Sequence, residues 1–390
     1  MKKDTNVVKA GRHPEDYLGV VNPPVYHVST VLWPTLDVLE GIHRGVPEGA
    51  TVYGRRGTPT TFALEEAIAE LEGAAGAISL PSGLAAITGA LLAFVKTGDH
   101  VLVTDSVYGP TRRFCDTVLA RMGIDTTYFD PLIGEGIAGL MQPNTSVVFV
   151  ETPGSLTFEI QDVPAIAAVA HDGGAKVIAD TTWGSPFIYQ PFAHGIDVSV
   201  IAATKYIVGH SDAMLGTASA TEDCLAPLRE MVRSLGYCAG PDDCYLGQRG
   251  LRTLAVRLRQ HEASGLKIAR WLAARTDVLR VIHPALGDDP GHALWQRDFT
   301  GSCGLFAFIL EPGSRGQLAA FVDDLAIFAM GASWGGFESL CLPVWPERIR
   351  TATTWEPGGT TMRLHVGLED VDDLIEDLDR AFTRFHEAAP

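Results

Sequence analysis

Long apolar segments are absent from this sequence. The longest nearly apolar stretch, from Ala85 to Val95, falls well short of the roughly 20 residues that a helix needs to cross a bilayer. The first residues include lysines but no apolar core, so the sequence predicts neither a membrane span nor a secretory signal. We therefore expect a cytoplasmic protein without membrane partners.

Basic residues are outnumbered by acidic ones. The 30 lysines and arginines face 47 aspartates and glutamates, which gives a formal net charge of −17 at pH 7. Phosphate backbones repel a chain with this balance, so nucleic-acid binding is not expected. A small anionic substrate is still compatible with the sequence, because it responds to the local field of its pocket.

Patterns that bind metals or nucleotides are also missing. The 6 cysteines contain no C-x-x-C pair, and the 12 histidines form no ligand-spaced pair. These spacings predict buried, reduced thiols rather than a disulfide framework or a zinc site. Gly134 to Gly139 matches G-x-G-x-x-G, but prolines on both sides predict a turn there instead of a nucleotide-binding strand and helix.

The sequence does contain an alternation of short apolar strands and helical segments. Strands are predicted at 77–80, 100–104, 126–129, 146–151, 176–180 and 198–202, and helices at 61–72, 83–95, 110–122, 163–171 and 222–235. Val147-Val-Phe-Val is continuously apolar, as in a strand that is covered on both faces. The alternation therefore predicts an α/β fold with a mostly parallel central sheet.

Composition divides the 390 residues into three predicted parts. Residues 1–60 are rich in Pro, Gly and His and read as an extended N-terminal arm, and residues 61–255 would form the α/β domain. Residues 256–390 would form a smaller C-terminal α+β domain. Around and within it, helices are predicted at 243–274, 315–328 and 369–387, and strands at 304–310 and 361–366.

Two charged residues stand at the ends of successive predicted strands. Asp180 closes the strand at 176–180, and Lys205 follows the next strand. Ligands collect at the carboxyl ends of parallel strands. Either residue alone is best explained as part of a surface ion pair. Together they suit pyridoxal phosphate (PLP), which requires a lysine for its Schiff base and a carboxylate on its pyridinium nitrogen.

Two further segments could serve the same cofactor. Leu80-Pro-Ser-Gly-Leu passes from a strand through a glycine turn into a helix, where free amides would suit a phosphate. An ordinary strand-to-helix turn is the alternative. Tyr108 follows the strand at 100–104 and could stack on the cofactor ring, with a partly buried tyrosine as the alternative.

Seven segments, in order along the chain, resemble the Cys/Met-metabolism family of PLP enzymes. They are Val52-Tyr-Gly-Arg, Pro81-Ser-Gly, Glu151-Thr-Pro-Gly-Ser, Ala179-Asp-Thr-Thr-Trp, the lysine segment Ala202-Ala-Thr-Lys, Gly331-Ala-Ser-Trp-Gly-Gly-Phe-Glu-Ser-Leu and Arg363-Leu-His-Val-Gly-Leu-Glu-Asp. The resemblance covers residues 20–385 approximately. It implies the fold type I PLP-dependent transferase architecture and an assembly of at least a homodimer, and it favours a homotetramer.

The resemblance also implies a role for each matching residue. Lys205 would form the Schiff base and carry protons, Asp180 would pair with the pyridinium nitrogen, and Arg363 would bind the substrate α-carboxylate with its planar fork. The other cofactor contacts within the subunit would come from Gly83, Leu84, Tyr108, Thr182 and Thr204. Tyr53 and Arg55 would contact the cofactor of a neighbouring subunit. The substrate pocket would include Tyr53, Ser333 and Trp334.

Three residues depart from the common family pattern. Ala202, Ser155 and Trp334 stand where many members have Ser, Asn and Leu, and they favour the β-lyase branch. The expected reaction is β-elimination from cystathionine or a related amino-acid thioether, with Lys205 or Tyr108 protonating the thiolate. A γ-lyase, a γ-synthase and a PLP-binding regulatory protein without turnover stay as alternatives.

Arg112 and Arg113, on the helix after Tyr108, stay open at this stage. They could touch a distal carboxylate of the substrate. A solvated helix face is the favoured interpretation.

Overall fold

The computed structural model describes residues 1–47 and 49–389, which build two β-sheets with surrounding helices. The strands are β1 (Gly76–Leu80), β2 (His100–Thr104), β3 (Asp125–Phe129), β4 (Thr145–Glu151), β5 (Lys176–Asp180), β6 (Val198–Ile201), β7 (Gly216–Ala220), β8 (Val278–Ile282), β9 (Leu305–Leu310), β10 (Leu340–Val344) and β11 (Thr360–His365). The helices are α1 (Lys3–Lys9), α2 (Leu36–Arg44), α3 (Pro59–Glu72), α4 (Gly83–Phe94), α5 (Gly109–Phe114), α6 (Val163–Asp172), α7 (Ser185–Ile188), α8 (Glu222–Ser234), α9 (Pro241–Leu251), α10 (Leu254–Ala273), α11 (His292–Asp298), α12 (Arg315–Val322) and α13 (Val371–Glu387).

The larger sheet has seven strands in the order β1-β7-β6-β5-β4-β2-β3. Strands β2 to β6 run parallel to one another, and β7 is antiparallel to both of its neighbours. The predicted α/β class with a mostly parallel sheet is therefore confirmed. Strand β7 was not predicted, because Gly-Thr-Ala-Ser-Ala has one β-branched residue, Thr217, and no aromatic residue to mark a strand. At Gly216 a Cβ would lie 2.1 Å from the Ser82 carbonyl oxygen, so this strand depends on close backbone contact.

The smaller sheet has four antiparallel strands in the order β10-β11-β9-β8. Its core contains the rings of Phe306, Phe308, Phe321 and Phe382. The prediction found β9 and β11 but missed β8 and β10, where Arg280 and Pro343 interrupt the apolar pattern. The helical region predicted at 243–274 consists of two helices, α9 and α10, because the chain leaves helical geometry at Thr253.

The first ten residues differ from the extended chain expected for residues 1–60. They include α1, where Val7 is fully buried, and the Arg252 guanidinium donates hydrogen bonds to the carbonyls of Val8 (3.1 Å) and Ala10 (2.9 Å). By contrast, residues 18–44 are largely exposed, and α2 has no buried residue. The division into an arm and two domains stays a prediction. Within the described residues every helix is too short or too polar to cross a membrane.

Candidate active site

Lys205 follows β6 and is the reactive amine of the predicted site. Its Nζ donates a hydrogen bond to Ser333 Oγ at 2.6 Å and lies 5.4 Å from the centre of the Trp334 ring. Burial lowers the pKa of Lys205 to about 8, and the nearby Arg363 charge lowers it too, while Asp180 opposes the shift. More of this lysine is therefore neutral near physiological pH than of an exposed lysine, as a nucleophile or base requires.

Asp180 ends β5, next to the strand that leads to Lys205. Its carboxylate is buried and accepts a 2.9 Å hydrogen bond from the Thr182 amide. The Thr182 hydroxyl in turn accepts a bond from the Ala202 amide at 2.9 Å, so Thr182 links the two strand ends. Burial raises the pKa of Asp180, against the effects of Thr182 and Lys205. A buried carboxylate in this position gains from a cationic partner such as a pyridinium nitrogen.

The predicted phosphate site lies at the start of α4. Ser82 caps this helix by accepting a hydrogen bond from the Ala85 amide (3.1 Å), and a Cβ at Gly83 would lie 2.5 Å from the Ala202 Cβ. The glycine therefore lets the helix start pack directly against the chain that carries Lys205. The amides of Gly83 and Leu84 belong to the first turn, where amides lack partners within the helix.

Thr204, predicted to hold the phosphate, has its hydroxyl engaged with the backbone. It donates to the Leu215 carbonyl at 3.1 Å and accepts from the Leu215 amide at 2.9 Å. Its hydroxyl proton is therefore already used within the chain, so a bond to phosphate requires the hydroxyl to rotate.

Arg363 lies on β11, and its guanidinium reaches the same region. Its Nη2 donates to the carbonyls of Gly331 (3.2 Å) and Ser333 (3.1 Å). Its Nε is buried and has no hydrogen-bond partner within the described residues. Burial lowers the pKa of this guanidinium, which still remains a cation at neutral pH. The guanidinium is fixed by the two carbonyls, and its buried Nε–H has no partner, so it is suited to bind a carboxylate.

Tyr108 and Glu151 form a second part of the site. The Tyr108 amide donates to Glu151 Oε2 at 2.7 Å, and Glu151 is the partner of Asp180 in the β4–β5 register. Burial, Asp180 and Glu151 all raise the pKa of Tyr108, so its phenol keeps its proton at neutral pH. The sequence-based site did not include Glu151. A signal was present, since an acid closes this apolar strand just as Asp180 closes the next one.

The predicted substrate residues Ser333 and Trp334 lie on one turn beside Lys205. Gly335 in that turn has φ +83°, and a Cβ there would come within 3.0 Å of the Lys205 backbone. Trp334 packs against Tyr206, with ring centres 5.6 Å apart. A glycine is therefore needed for the turn to reach the lysine.

Within the described residues, Tyr53 and Arg55 contact other parts of the chain than the group around Lys205. Arg55 Nη1 donates to the Arg233 carbonyl at 2.7 Å, and Tyr53 forms an isolated bridge with Thr30. Tyr53 is 46% exposed. Their role toward a neighbouring subunit stays a prediction.

The favoured interpretation of Arg112 as part of a solvated face was wrong. Arg112 is buried, its Nη2 donates to Asp105 Oδ1 at 2.5 Å, and its guanidinium lies 3.6 Å from the centre of the Tyr128 ring. Asp105, a buried acid seven residues earlier in the connection between β2 and α5, binds this arginine, and no local sequence pattern reveals that contact. Arg113 is exposed, as expected.

The described part of the chain contains neither a disulfide nor a metal-ligand cluster. The six cysteines are free, and all except Cys238 are buried. Across residues 1–47 and 49–389, no group of His, Cys, Asp and Glu side chains has the arrangement of a metal site.

Comparison with known proteins gives consistent matches over almost the whole chain. The family described as Cys/Met metabolism PLP-dependent enzyme matches residues 4–383. A putative cystathionine beta-lyase of Rhizobium johnstonii is 50% identical over 383 residues, which cover 97% of this chain and 95% of the relative. The cystathionine beta-lyase MetC of Escherichia coli is 47% identical over 389 residues, with 98% of each chain covered.

Two other matches carry different activities in their names. An L-alanine/L-glutamate racemase of Wolbachia pipientis is 40% identical over 395 residues and covers 98% of each chain. The crystal structure of a cystathionine gamma synthase from Xanthomonas oryzae superimposes with a TM-score of 0.90 at 31% identity and covers 99% of each chain. The chain is thus similar to proteins that are named for different activities.

Proposed function

Because this chain belongs to the Cys/Met metabolism family of PLP-dependent enzymes, we propose that it is a carbon–sulfur β-lyase that cleaves L-cystathionine or a related cysteine S-conjugate. Family membership confirms PLP as the cofactor. The observation that carries the proposed reaction is Lys205, a half-buried lysine after β6 whose Nζ bonds to Ser333 and whose pKa is lowered to about 8.

The residues present fit this cofactor. Asp180 is a buried carboxylate without a cation bonded to it among the described contacts, and Lys205 supplies the amine. The α4 start supplies amides for a phosphate. When bound, PLP would supply an electron sink for the electron pair released at the substrate Cα.

The protein's own groups would then divide the work. Arg363 would bind the α-carboxylate, and Lys205 Nζ would remove the Cα proton as a general base. The Cβ–S bond breaks, and the thiolate takes a proton from Lys205 or from Tyr108, whose raised pKa keeps the phenol protonated. One water is consumed as the remaining three-carbon unit leaves as pyruvate and ammonia. With cystathionine the thiol product would be homocysteine.

Several reactions share the first proton removal. A γ-lyase or γ-synthase must remove a second proton at Cβ, and a racemase returns the first proton to the opposite face of Cα. Trp334 and the Ala-Ala-Thr-Lys segment that ends at Lys205 support the β-lyase assignment, as do the names of the Rhizobium johnstonii and Escherichia coli relatives. A regulatory protein without turnover is less well supported, because every catalytic position is filled.

Product analysis of the purified protein with PLP and L-cystathionine tests the proposal. Pyruvate with homocysteine is the expected result. Formation of 2-oxobutyrate with cysteine would assign a γ-lyase, and D-alanine formed from L-alanine without pyruvate would assign a racemase. No turnover of any thioether, with the visible absorbance of bound PLP present, would favour the regulatory alternative.

A matched pair of lysine variants tests the role of Lys205. Lys205→Ala removes the proposed base, and Lys267→Ala removes an exposed lysine that is paired with Asp372. We expect kcat to fall by about 10²–10⁴-fold or more in Lys205→Ala and to stay unchanged in Lys267→Ala. Normal turnover by Lys205→Ala would refute the assignment.

The contribution of Tyr53 and Arg55 to a neighbouring subunit's site can be tested by mixing subunits. Lys205→Ala and Arg55→Ala homodimers should each be nearly inactive. If the two residues serve different subunits' sites, a mixed dimer contains one intact site, so activity returns when the two variants are refolded together. No recovery would place both residues in one subunit's site. A homodimer at least, with a homotetramer favoured, and a cytoplasmic location are part of the same proposal.

A further inference from the structure

One short turn makes three of the contacts described above. The turn Gly331–Gly336 provides the Ser333 hydroxyl that binds Lys205 Nζ, and two of its carbonyls accept from Arg363. It also carries Trp334 and brings Gly335 against the Lys205 backbone. Ser333 is exposed, so packing against the core alone does not hold this part of the turn. The position of this turn therefore controls several groups of the site together.

His365 provides the anchor beneath the turn. It lies on β11 two residues after Arg363, so both side chains point to the same face of the sheet. Its imidazole is completely buried, and Nε2 lies 3.1 Å from the Gly335 amide and 3.1 Å from the Gly336 carbonyl oxygen. In one tautomer Nε2 accepts from the amide, and in the other it donates to the carbonyl. The imidazole therefore bonds to the turn in either tautomer.

A second histidine supports the first from α10. His261 Nδ1 lies 2.8 Å from the Val366 carbonyl oxygen, which makes it the donor, and the two imidazole rings are 5.3 Å apart. Burial lowers the pKa of His365 to about 3 and that of His261 to about 4, so both stay neutral during catalysis. The Nδ1 of His365 and the Nε2 of His261 are buried without partners among the described residues. A neutral pair of this kind acts through position rather than by proton transfer.

We propose that His365 is a positioning residue of the reaction, because its bond to the Gly335–Gly336 backbone holds Ser333 and Trp334 in place beside Lys205. The kinetic part of this inference rests on the proposed β-lyase function. The structural part, that the imidazole anchors the turn, does not depend on it.

Two substitutions of similar size distinguish the effect of the hydrogen bond made by His365 Nε2 from the effect of the volume that its side chain fills. In His365→Gln, the side-chain amide replaces Nε2 with a group that can still donate or accept, whereas His365→Met fills similar space without that group. We expect KM for the cleaved thioether to rise about tenfold or more in His365→Met, because a buried backbone group loses its partner. In His365→Gln we expect KM within about threefold of the wild type by the same reasoning.

The second readout is collisional quenching of tryptophan fluorescence by acrylamide in the PLP-free protein. Trp334 is one of 7 tryptophans, so its share is obtained by subtracting the signal of Trp334→Phe in each background. Loss of the anchor should make Trp334 more accessible in His365→Met but not in His365→Gln. This measurement works even if the protein cleaves no thioether, in which case only the proposed function fails.

Three results would overturn the inference. One is a His365→Met enzyme with wild-type KM and wild-type quenching of Trp334. Another is a folded His365→Gln enzyme that is as impaired as His365→Met. The third is a loss of kcat alone, which would reflect a smaller folded fraction rather than a displaced turn. If His365→Met fails to fold, His365→Leu replaces it in both measurements.

Discussion

Asp105→Asn is expected to destabilise this protein strongly, because one buried carboxylate joins its two sheets. Asp105 is 1% exposed and follows β2, three residues before Tyr108. Its Oδ1 accepts from Arg112 Nη2 (2.5 Å) and from the Thr351 amide (3.0 Å). Its Oδ2 accepts from the Ala352 amide (3.1 Å) and from the amide (2.8 Å) and hydroxyl (2.7 Å) of Thr353. The segment 351–353 lies between β10 and β11 of the smaller sheet.

The magnitude follows from what the substitution leaves behind. Asparagine keeps the shape of the side chain but removes its charge, and its NH₂ group meets backbone amides that are themselves donors. Arg112 is then a buried cation without its partner. Breaking a buried ion pair in this way costs about 3–5 kcal/mol. We expect a loss of that size in the free energy of unfolding.

The pH dependence provides an independent check. Burial raises the pKa of Asp105, but the hydrogen bonds from Thr351, Ala352 and Thr353 prevail and lower it below its ordinary value. A lowered folded-state pKa stabilises the protein above the unfolded value of about 3.9. That stabilisation is lost as the pH falls through the folded-state pKa. The difference between wild type and Asp105→Asn should therefore be constant from about pH 8 to 5 and shrink below about pH 4.

The assay is equilibrium unfolding in urea at a fixed subunit concentration, with PLP present for every variant. Asp172→Asn serves as the control, since Asp172 is an exposed acid at the end of α6 and should change stability by less than about 0.5 kcal/mol. The reasoning is refuted if Asp105→Asn is as stable as the control. It is also refuted if the difference from wild type grows as the pH falls below about 4.

Three further predictions concern the site itself. In the PLP-free protein, Lys205 should react with an amine reagent with a midpoint near pH 8, and Arg363→Met should raise that midpoint because it removes a charge that disfavours the ammonium. Gly335→Ala should lower kcat/KM by about tenfold or more, since the added Cβ forces the turn away from Lys205, and the left-handed conformation costs a further 1–2 kcal/mol approximately. Arg363→Lys should raise KM by about tenfold or more with a smaller change in kcat, because an ammonium does not reproduce the bidentate fork.

Each of these predictions has a control and a contradicting result. A Lys205 midpoint near the ordinary 10.5 would show that burial does not act on it. Gly358→Ala carries the same backbone cost at φ +77°, and its Cβ would make only an ordinary contact with Leu279 Cδ1 at 3.8 Å. Equal losses in both alanine variants would therefore exclude a role for the Lys205 contact. An Arg363→Lys enzyme with unchanged KM would exclude a carboxylate clamp at this position.

That Asp180 and Lys205 follow neighbouring strands was accessible from the sequence for a physical reason. Both residues follow short apolar strands, and parallel neighbouring strands end at the same edge of the sheet. The strand ends observed at β5 and β6 bear this out. Arg363, Ser333 and Trp334 came only from the resemblance to a family, because nothing in their local patterns links them to a lysine more than a hundred residues away. The structure brings Ser333 to that lysine, and both groups lie beside Arg363.

By itself, the sequence determined the parallel strands, the helices between them and the two charged strand ends, since apolar periodicity acts over a few residues. Only the tertiary structure decided which polar groups are buried together. It placed Glu151 beside Asp180, enclosed Arg112 with Asp105 and set His365 under the turn at Gly335. It also made a strand of β7, whose small residues carry little strand signal. Burial and long-range hydrogen bonds depend on how distant segments pack, and local sequence patterns do not predict that packing.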